Sequence, residues 1–214
     1  LSYLLSAPLR QFVLVLVVFS SFAQADKLQR PPHWSKPISD NPVNLLHQVD
    51  DKLYRSALPN KEAVSQLKAL GIVSVVNFYQ KSDKSWIGTA DLQEIHLPMR
   101  TRWFDDEDAL DALRAVRKAQ EKGAVLIHCK HGQNRTGLVA ALYRMMYQDW
   151  SKEEALAEMR SFGGSKKRME RAEEYLQDLD VSELKAALDS GACSTSALAF
   201  CHLEDWWEGL ANAR

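Results

Sequence analysis

From residue 53 to residue 128 the chain alternates short β-branched runs with stretches whose apolar positions recur every three or four residues. Ile72–Phe78 (IVSVVNF) and Ala124–His128 (AVLIH) are runs of strand length with little polar alternation, as expected of strands buried on both faces. Glu94–Met99 (EIHLPM) reads as another strand, and Leu53–Pro59 (LYRSALP) as a short strand at a sheet edge. Asn60 can cap a helix with Val64, Leu67 and Leu70 on one face and Gly71 past its end. Tyr79–Thr89 is polar and reads as a loop. A helix from about Asp106 to Lys122 carries Leu110, Leu113 and Val116 on one side and stops at Gly123. A further helix follows residue 135, with Leu138, Ala141, Leu142 and Met145 on one face. Ser151 and Glu154 form a capping box for the next one. Helices are also expected over Lys167–Leu179, over Ser182–Asp189 and in the tail HLEDWWEGLA. Glu94–Met99, the helix after it and Ala124–His128 make a βαβ unit. The expectation is an α/β fold, a central, mostly parallel sheet flanked by helices, with a helical C-terminal half, in one domain over residues 44–214.

The N-terminal pattern differs in kind. Arg10 precedes the greasy run FVLVLVVFSSF and then AQA, which reads as a signal peptide over residues 1–25, cleaved after Ala25. The run is short for a membrane helix, which needs about 20 apolar residues; an uncleaved anchor is the alternative. The expected destination is periplasmic or secreted, with no stable membrane span after cleavage. Residues 26–43 carry Pro31, Pro32, Pro37 and Pro42 and read as an extended arm. In 214 residues the formal net charge is −1, which argues against a nucleic-acid binder. A monomer is expected. Export also changes how the three cysteines are read. An oxidising compartment lets Cys193 and Cys201 form a disulfide, the alternative being two reduced, packed side chains. Cys129 is left as a free thiol.

That thiol sits in HCKHGQNRTG, between the strand ending at His128 and the following helix. Ligands of open α/β sheets bind outside such strand ends. Lys130, His131, Gly132, Gln133, Asn134 and Arg135 can curl so that their N–H groups converge, and Gly132 permits the tight geometry. The helix N-terminus points at the same spot, making a nest for a tetrahedral oxyanion such as phosphate. Arg135 follows Cys129 by six positions, and its fork can grip two phosphate oxygens at once. A helix N-terminus and nearby cations can bring a thiol pKa from about 8.5 to roughly 3.5–7.5, so Cys129 is expected as a thiolate. The Thr136 hydroxyl can donate to the sulfur.

His128-Cys129 with Gly132, Arg135, Thr136 and Gly137 spells H-C-x-x-G-x-x-R-T-G, and here the chain resembles the cysteine-dependent protein tyrosine phosphatase superfamily, in particular its small secreted bacterial dual-specificity-type members. LVAALYRMMYQDWSKEEALAEM and the C-terminal GACS…CHLEDW add a softer likeness. The resemblance spans roughly residue 50 to the end and implies the cysteine phosphatase fold. It implies Cys129 as the nucleophile forming a phosphocysteine intermediate, Arg135 as the phosphoryl ligand and transition-state stabiliser, and Thr136 as an aid to hydrolysis of the intermediate. It also implies His128 as structural support behind the sulfur, and the N–H groups of Lys130–Arg135 as the phosphate cradle. No metal or organic cofactor is implied.

The chain departs from the family at the general acid. The matching loop is MRTRWFDDEDAL, and Arg102 stands at the position where related secreted enzymes carry an aspartate. Asp105 and Asp106 are the nearest candidate proton donors, although acids at a helix start also serve as caps; Asp83 is a third choice. A zinc site at HCKH is disfavoured because His128 and Cys129 point apart at a strand end. A rhodanese-like sulfurtransferase is disfavoured by the full Cys-to-Arg spacing followed by Thr136 and Gly137. Trp103, on the loop where the acid is expected, could stack on a substrate ring; the run Lys166-Lys167-Arg168 is a solvated helix start or a dock for an acidic substrate. Gln133 and Asn134 either orient water or shape the loop. The expected substrates are phosphotyrosine proteins, with phosphoserine and phosphothreonine if the cleft is shallow. Inositol phosphates or phosphoinositides are the alternative, and a phosphate-binding module of low turnover is a further one.

Overall fold

The computed structural model describes residues 30–196 and residue 199. By compactness the chain divides into the segment Leu1–Pro31 and a unit beginning at Pro32. The expected signal over residues 1–25 lies outside the described residues, and so do the tail HLEDWWEGLA and Cys201, the expected partner of Cys193.

Within the unit from Pro32 the strands are β1 (Lys36–Pro37), β2 (His47–Gln48), β3 (Leu53–Ser56), β4 (Ile72–Asn77), β5 (Gln93–His96) and β6 (Ala124–His128). The helices are α1 (Val64–Ala69), α2 (Lys84–Ile87), α3 (Asp106–Gln120), α4 (Asn134–Tyr147), α5 (Lys152–Ser161), α6 (Lys166–Asp178) and α7 (Val181–Ser190). One sheet runs in the order β1-β2-β3-β6-β4-β5. The pairings β3–β6, β6–β4 and β4–β5 are parallel, while β1–β2 and β2–β3 are antiparallel. The architecture is α/β, a mostly parallel sheet flanked by helices.

Period-two alternation explains how β6 feeds two cores at once. Val125 and Ile127 join Leu110, Leu113, Leu138 and Leu142 of α3 and α4 on one face. Ala124 and Leu126 join Leu67 of α1 and Trp86 and Ile87 of α2 on the other. The α4 helix is covered on nearly every side, since Asn134 and every residue from Thr136 to Met146 are buried. Caps set several helix starts: Asn60 accepts from the Ala63 N–H ahead of a 3-10 turn and α1, and Ser151 accepts from the Glu154 N–H ahead of α5.

Two sequence expectations are corrected by the structure. Leu53–Ser56 is not an edge strand: all four residues are buried, and β2 and β6 lie on its two sides. The strand that takes the outer place is β1, from within the expected arm, where Pro37 is tolerated because edge positions need no donor on their outer side. The polar loop Tyr79–Thr89 contains a helical turn, α2, whose Trp86 and Ile87 are buried. In addition, β5 and β6 of the expected βαβ unit both pair with β4, which lies between them.

The former arm is anchored through a buried charge. Ser35 donates from its hydroxyl to Glu158 at 2.7 Å and from its N–H at 2.5 Å. Glu158 on α5 receives two bonds from Arg144 on α4, both 3.1 Å, with the two side chains 2 % and 3 % exposed. Burial works to raise the Glu158 pKa, but Arg144 and Ser35 outweigh it and hold the carboxyl below its usual range.

Candidate active site

The alternation of β6 carries through its end and separates the two residues that follow Ile127. His128 turns toward α2, where its Nε2 meets Asp83 Oδ2 at 2.6 Å, both side chains fully buried, with Trp86 edge-on at 6.4 Å. Cys129 turns into the core on the α3–α4 side, 2 % exposed, with its sulfur at the floor of a cleft.

Between β6 and α4 the chain makes one tight loop. Gly132 has φ +70°, and a Cβ there would lie 2.5–2.7 Å from the backbone of Ser56 and Ala57, so the loop is pressed against the end of β3. The loop's carbonyls are taken up from behind. The Gly132 carbonyl accepts from Arg55 Nη2 at 2.9 Å, and the Lys130 carbonyl accepts from the Leu58 N–H at 3.4 Å. Gln133 donates its side-chain amide to the Phe162 carbonyl at 3.1 Å. Among the described residues, no backbone carbonyl accepts from the N–H groups of Lys130–Gln133; that of His131 turns to the Cys129 sulfur.

The cleft holds about 630 Å³ and is lined by Tyr79, Gln80, Met99, Arg100, Thr101, Arg102, Trp103, Cys129, Lys130, His131, Asn134, Arg135, Lys167, Arg168 and Arg171. Seven of these are lysine or arginine, and none is a carboxylate. Burial pushes the Cys129 thiol up, yet its net displacement is downward from the ordinary 9.0. The Thr136 hydroxyl, the Arg135 charge and the N–H groups of Thr136 and His131 all favour the thiolate and outweigh desolvation. Thr136 is fully buried, and its hydroxyl meets no nitrogen or oxygen partner among the described residues, so the sulfur is the group it serves. Desolvation, followed by the charges of Lys130, Arg168 and Arg135, lowers the His131 pKa and favours the neutral ring. Arg135 is held over the cleft by the Phe78 carbonyl at 2.7 Å and Gln80 Oε1 at 3.1 Å.

The structure thus gathers Cys129, Lys130, His131, Asn134 and Arg135 at one surface, with Gly132, Gln133 and Thr136 behind it. It does not bring the candidate acids there. Asp105 caps α3, accepting from the Asp108 N–H at 3.0 Å. Asp106 accepts from the Tyr175 hydroxyl at 2.8 Å and from the Thr195 hydroxyl. Asp83 is fully buried against His128. Of the loop from Met99 to Leu110, Met99–Trp103 is the part that reaches the cleft, with both Arg100 and Arg102 over the ring of Trp103 at 5.4 Å, itself 62 % exposed. From α6, Lys167 and Arg168 line the cleft, while Lys166 does not. Arg55 was missed by sequence reasoning; the available signal was a charged residue inside the strand-like LYRS.

A thiol held toward its thiolate form at the base of a cationic nest is the equipment for attack on a phosphate ester. Comparison with known proteins agrees. The model of the tyrosine phosphatase family matches residues 42–195. Dual specificity protein phosphatase TpbA of Pseudomonas aeruginosa is 41% identical over 178 residues, covering 83% of this chain and 81% of the relative. A crystal structure of TpbA with its cysteine changed to serine, in complex with phosphotyrosine, superposes with a TM-score of 0.71 at 39% identity, covering 76% of this chain and all of that one. Inositol diphosphatase DSP5 of Arabidopsis thaliana is 26% identical, covering 66% of this chain and 72% of the relative. The chain belongs to the tyrosine phosphatase family and is an enzyme of the cysteine-dependent phosphatase class.

Proposed function

We propose that this protein is an exported phosphatase that hydrolyses phosphotyrosine in proteins through a phosphocysteine intermediate. The observation that carries the reading is Cys129, held toward its thiolate form at the floor of a cleft bounded by Arg135. In this reading the sulfur attacks phosphorus in line; the S–P bond forms as the ester P–O bond breaks, and the leaving oxygen departs with the electron pair. Arg135 holds two equatorial oxygens and offsets the charge that spreads over them. Water then attacks phosphorus, and Thr136 stabilises the departing thiolate. His128, fixed by Asp83, braces the strand end. The relative's complex with phosphotyrosine and the exposed ring of Trp103 at the rim support an aryl phosphate as substrate.

Neither Asp105 nor Asp106 lines the cleft, and each is occupied in binding other groups. Hydrolysis of phosphotyrosine peptides, whose leaving oxygen needs a proton, is therefore expected to survive in Asp105→Asn and Asp106→Asn. Loss of the basic limb of the pH profile in either variant would assign the proton donor to it.

A second reading, an inositol phosphate phosphatase, is favoured by the seven basic side chains that line the cleft. Incubating the enzyme in parallel with phosphotyrosine peptides and with inositol hexakisphosphate ranks the two. Faster release of phosphate from the inositol would displace the first reading. Export rests on the pattern of residues 1–25, and N-terminal sequencing of the periplasmic or secreted protein is expected to begin at Asp26. Retention of residues 1–25 in that fraction would refute cleavage.

A further inference from the structure

Convergence of amides on one point has a geometric counterpart, because the carbonyls of the same peptides must face the other way. In this fold they face the protein body, where a carbonyl without a donor costs free energy. The segment that meets them is β3 and the residues after it. Arg55 is fully buried. Its Nη2 donates to the Gly132 carbonyl at 2.9 Å, and its guanidinium carbon lies over the Phe162 ring, 3.5 Å from the centre. The Phe162 carbonyl in turn receives the side chain of Gln133, the next loop residue. Leu58 takes the Lys130 carbonyl. Gly132 touches Ser56 and Ala57 too closely for any side chain to intervene.

Burying an arginine is expensive, and the Gly132 carbonyl and the Phe162 ring offset part of that cost. A lysine or glutamine could satisfy one carbonyl. Arginine adds a planar face for the ring beneath and a charge that persists at every working pH. The charge lies behind the loop, on the side opposite the cleft.

We propose that Arg55 is a positioning residue for the phosphatase reaction: by holding the Gly132 carbonyl outward it fixes the loop amides toward the phosphoryl group, and its buried charge strengthens the loop's hold on oxyanions. The proposal rests on the reading of Cys129 as nucleophile.

The test uses the full chain with Arg55→Met, Arg55→Gln and Arg55→Lys, each checked for folding by circular dichroism. Two readouts go beyond a structural role: the inhibition constant of vanadate, and the pH midpoint of Cys129 inactivation by iodoacetate. Arg55→Met and Arg55→Gln should bind vanadate roughly tenfold to hundredfold more weakly than wild type, with the inactivation midpoint moved to higher pH. Arg55→Lys should fall between them and wild type, since its compact charge cannot reproduce the guanidinium's geometry. If folded Arg55→Met or Arg55→Gln binds vanadate within about twofold of wild type with an unmoved midpoint, the proposal is overturned. Should neither neutral variant fold, Arg55→Lys decides in the same way, and wild-type values for both readouts overturn it. Cys129→Ser is run alongside. If that variant hydrolyses para-nitrophenyl phosphate as wild type does, the assignment of the nucleophile has failed, independently of Arg55.

Discussion

Arg55 and Arg144 are both buried arginines, and they differ in what they hold. Arg144 faces a carboxylate, Glu158, on the next helix, and with Ser35 the three form a closed polar group that anchors the N-terminal stretch. Arg55 donates to a backbone carbonyl of the catalytic loop and lies on an aromatic ring. The first arrangement ties segments together; the second shapes a surface that must receive an anion. One residue type, equally hidden from water, thus serves architecture in one place and chemistry in another, and the partner atom decides which.

The comparison can be broken by separating activity from stability. The largest effect belongs to the loop: Cys129→Ser should abolish turnover of para-nitrophenyl phosphate while leaving the thermal midpoint near that of wild type. Residual turnover at the wild-type rate would show that the loop is not the seat of catalysis. Next comes Glu158→Gln, which strands the Arg144 charge. Breaking a buried pair costs about 3–5 kcal/mol, so urea unfolding should show a loss of that order with kcat little changed in the protein that remains folded. The pair also sets an acid limit. The folded-state pKa of Glu158 is lowered from 4.5, so its contribution is complete above that value and is lost as pH falls through the folded pKa. The unfolding midpoint of Glu158→Gln should lack that component.

Gly132→Ala mixes the two roles. Its Cβ would collide with the β3 backbone at a positive φ, at a cost of about 1–3 kcal/mol, and kcat/KM should drop along with stability; a variant with both unchanged would contradict the close approach. The smallest effect is expected at Asp108, in the first turn of α3. Burial first, then the neighbouring Asp105 charge, raises its pKa from 3.8 to about 6. An acid raised on folding loses its contribution as pH climbs from the unfolded to the folded pKa. Asp108→Asn should therefore be slightly more stable than wild type at pH 7, with the gain fading toward pH 4 in thermal melts.

Much of the catalytic side was legible in the sequence because its information is local. AVLIH is a β-branched run between Gly123 and the loop, and β6 occupies those five residues. Cys129 and Arg135 lie within one turn-and-helix start, so their spacing alone brings them to one surface. The architectural side depends on pairs distant along the chain. Ser35 and Glu158 are 123 positions apart, and Asp83 and His128 are 45 apart, and no periodicity connects them. The two-residue strands β1 and β2 are too short to show alternation, and without them Leu53–Ser56 looks like an edge. Asp106 shows the reverse error: an acid close in sequence to the expected donor position is used by Tyr175 on a helix nearly seventy residues away.

The helix behind the loop has one more consequence. With Asn134 and Thr136–Met146 all covered, α4 has almost no free side on which to drift. A phosphate seat mounted on such a shaft keeps its shape whatever stands at the lip. Exchanging Arg100 and Trp103 is thus expected to retune which molecules are admitted while the loop beneath keeps its shape.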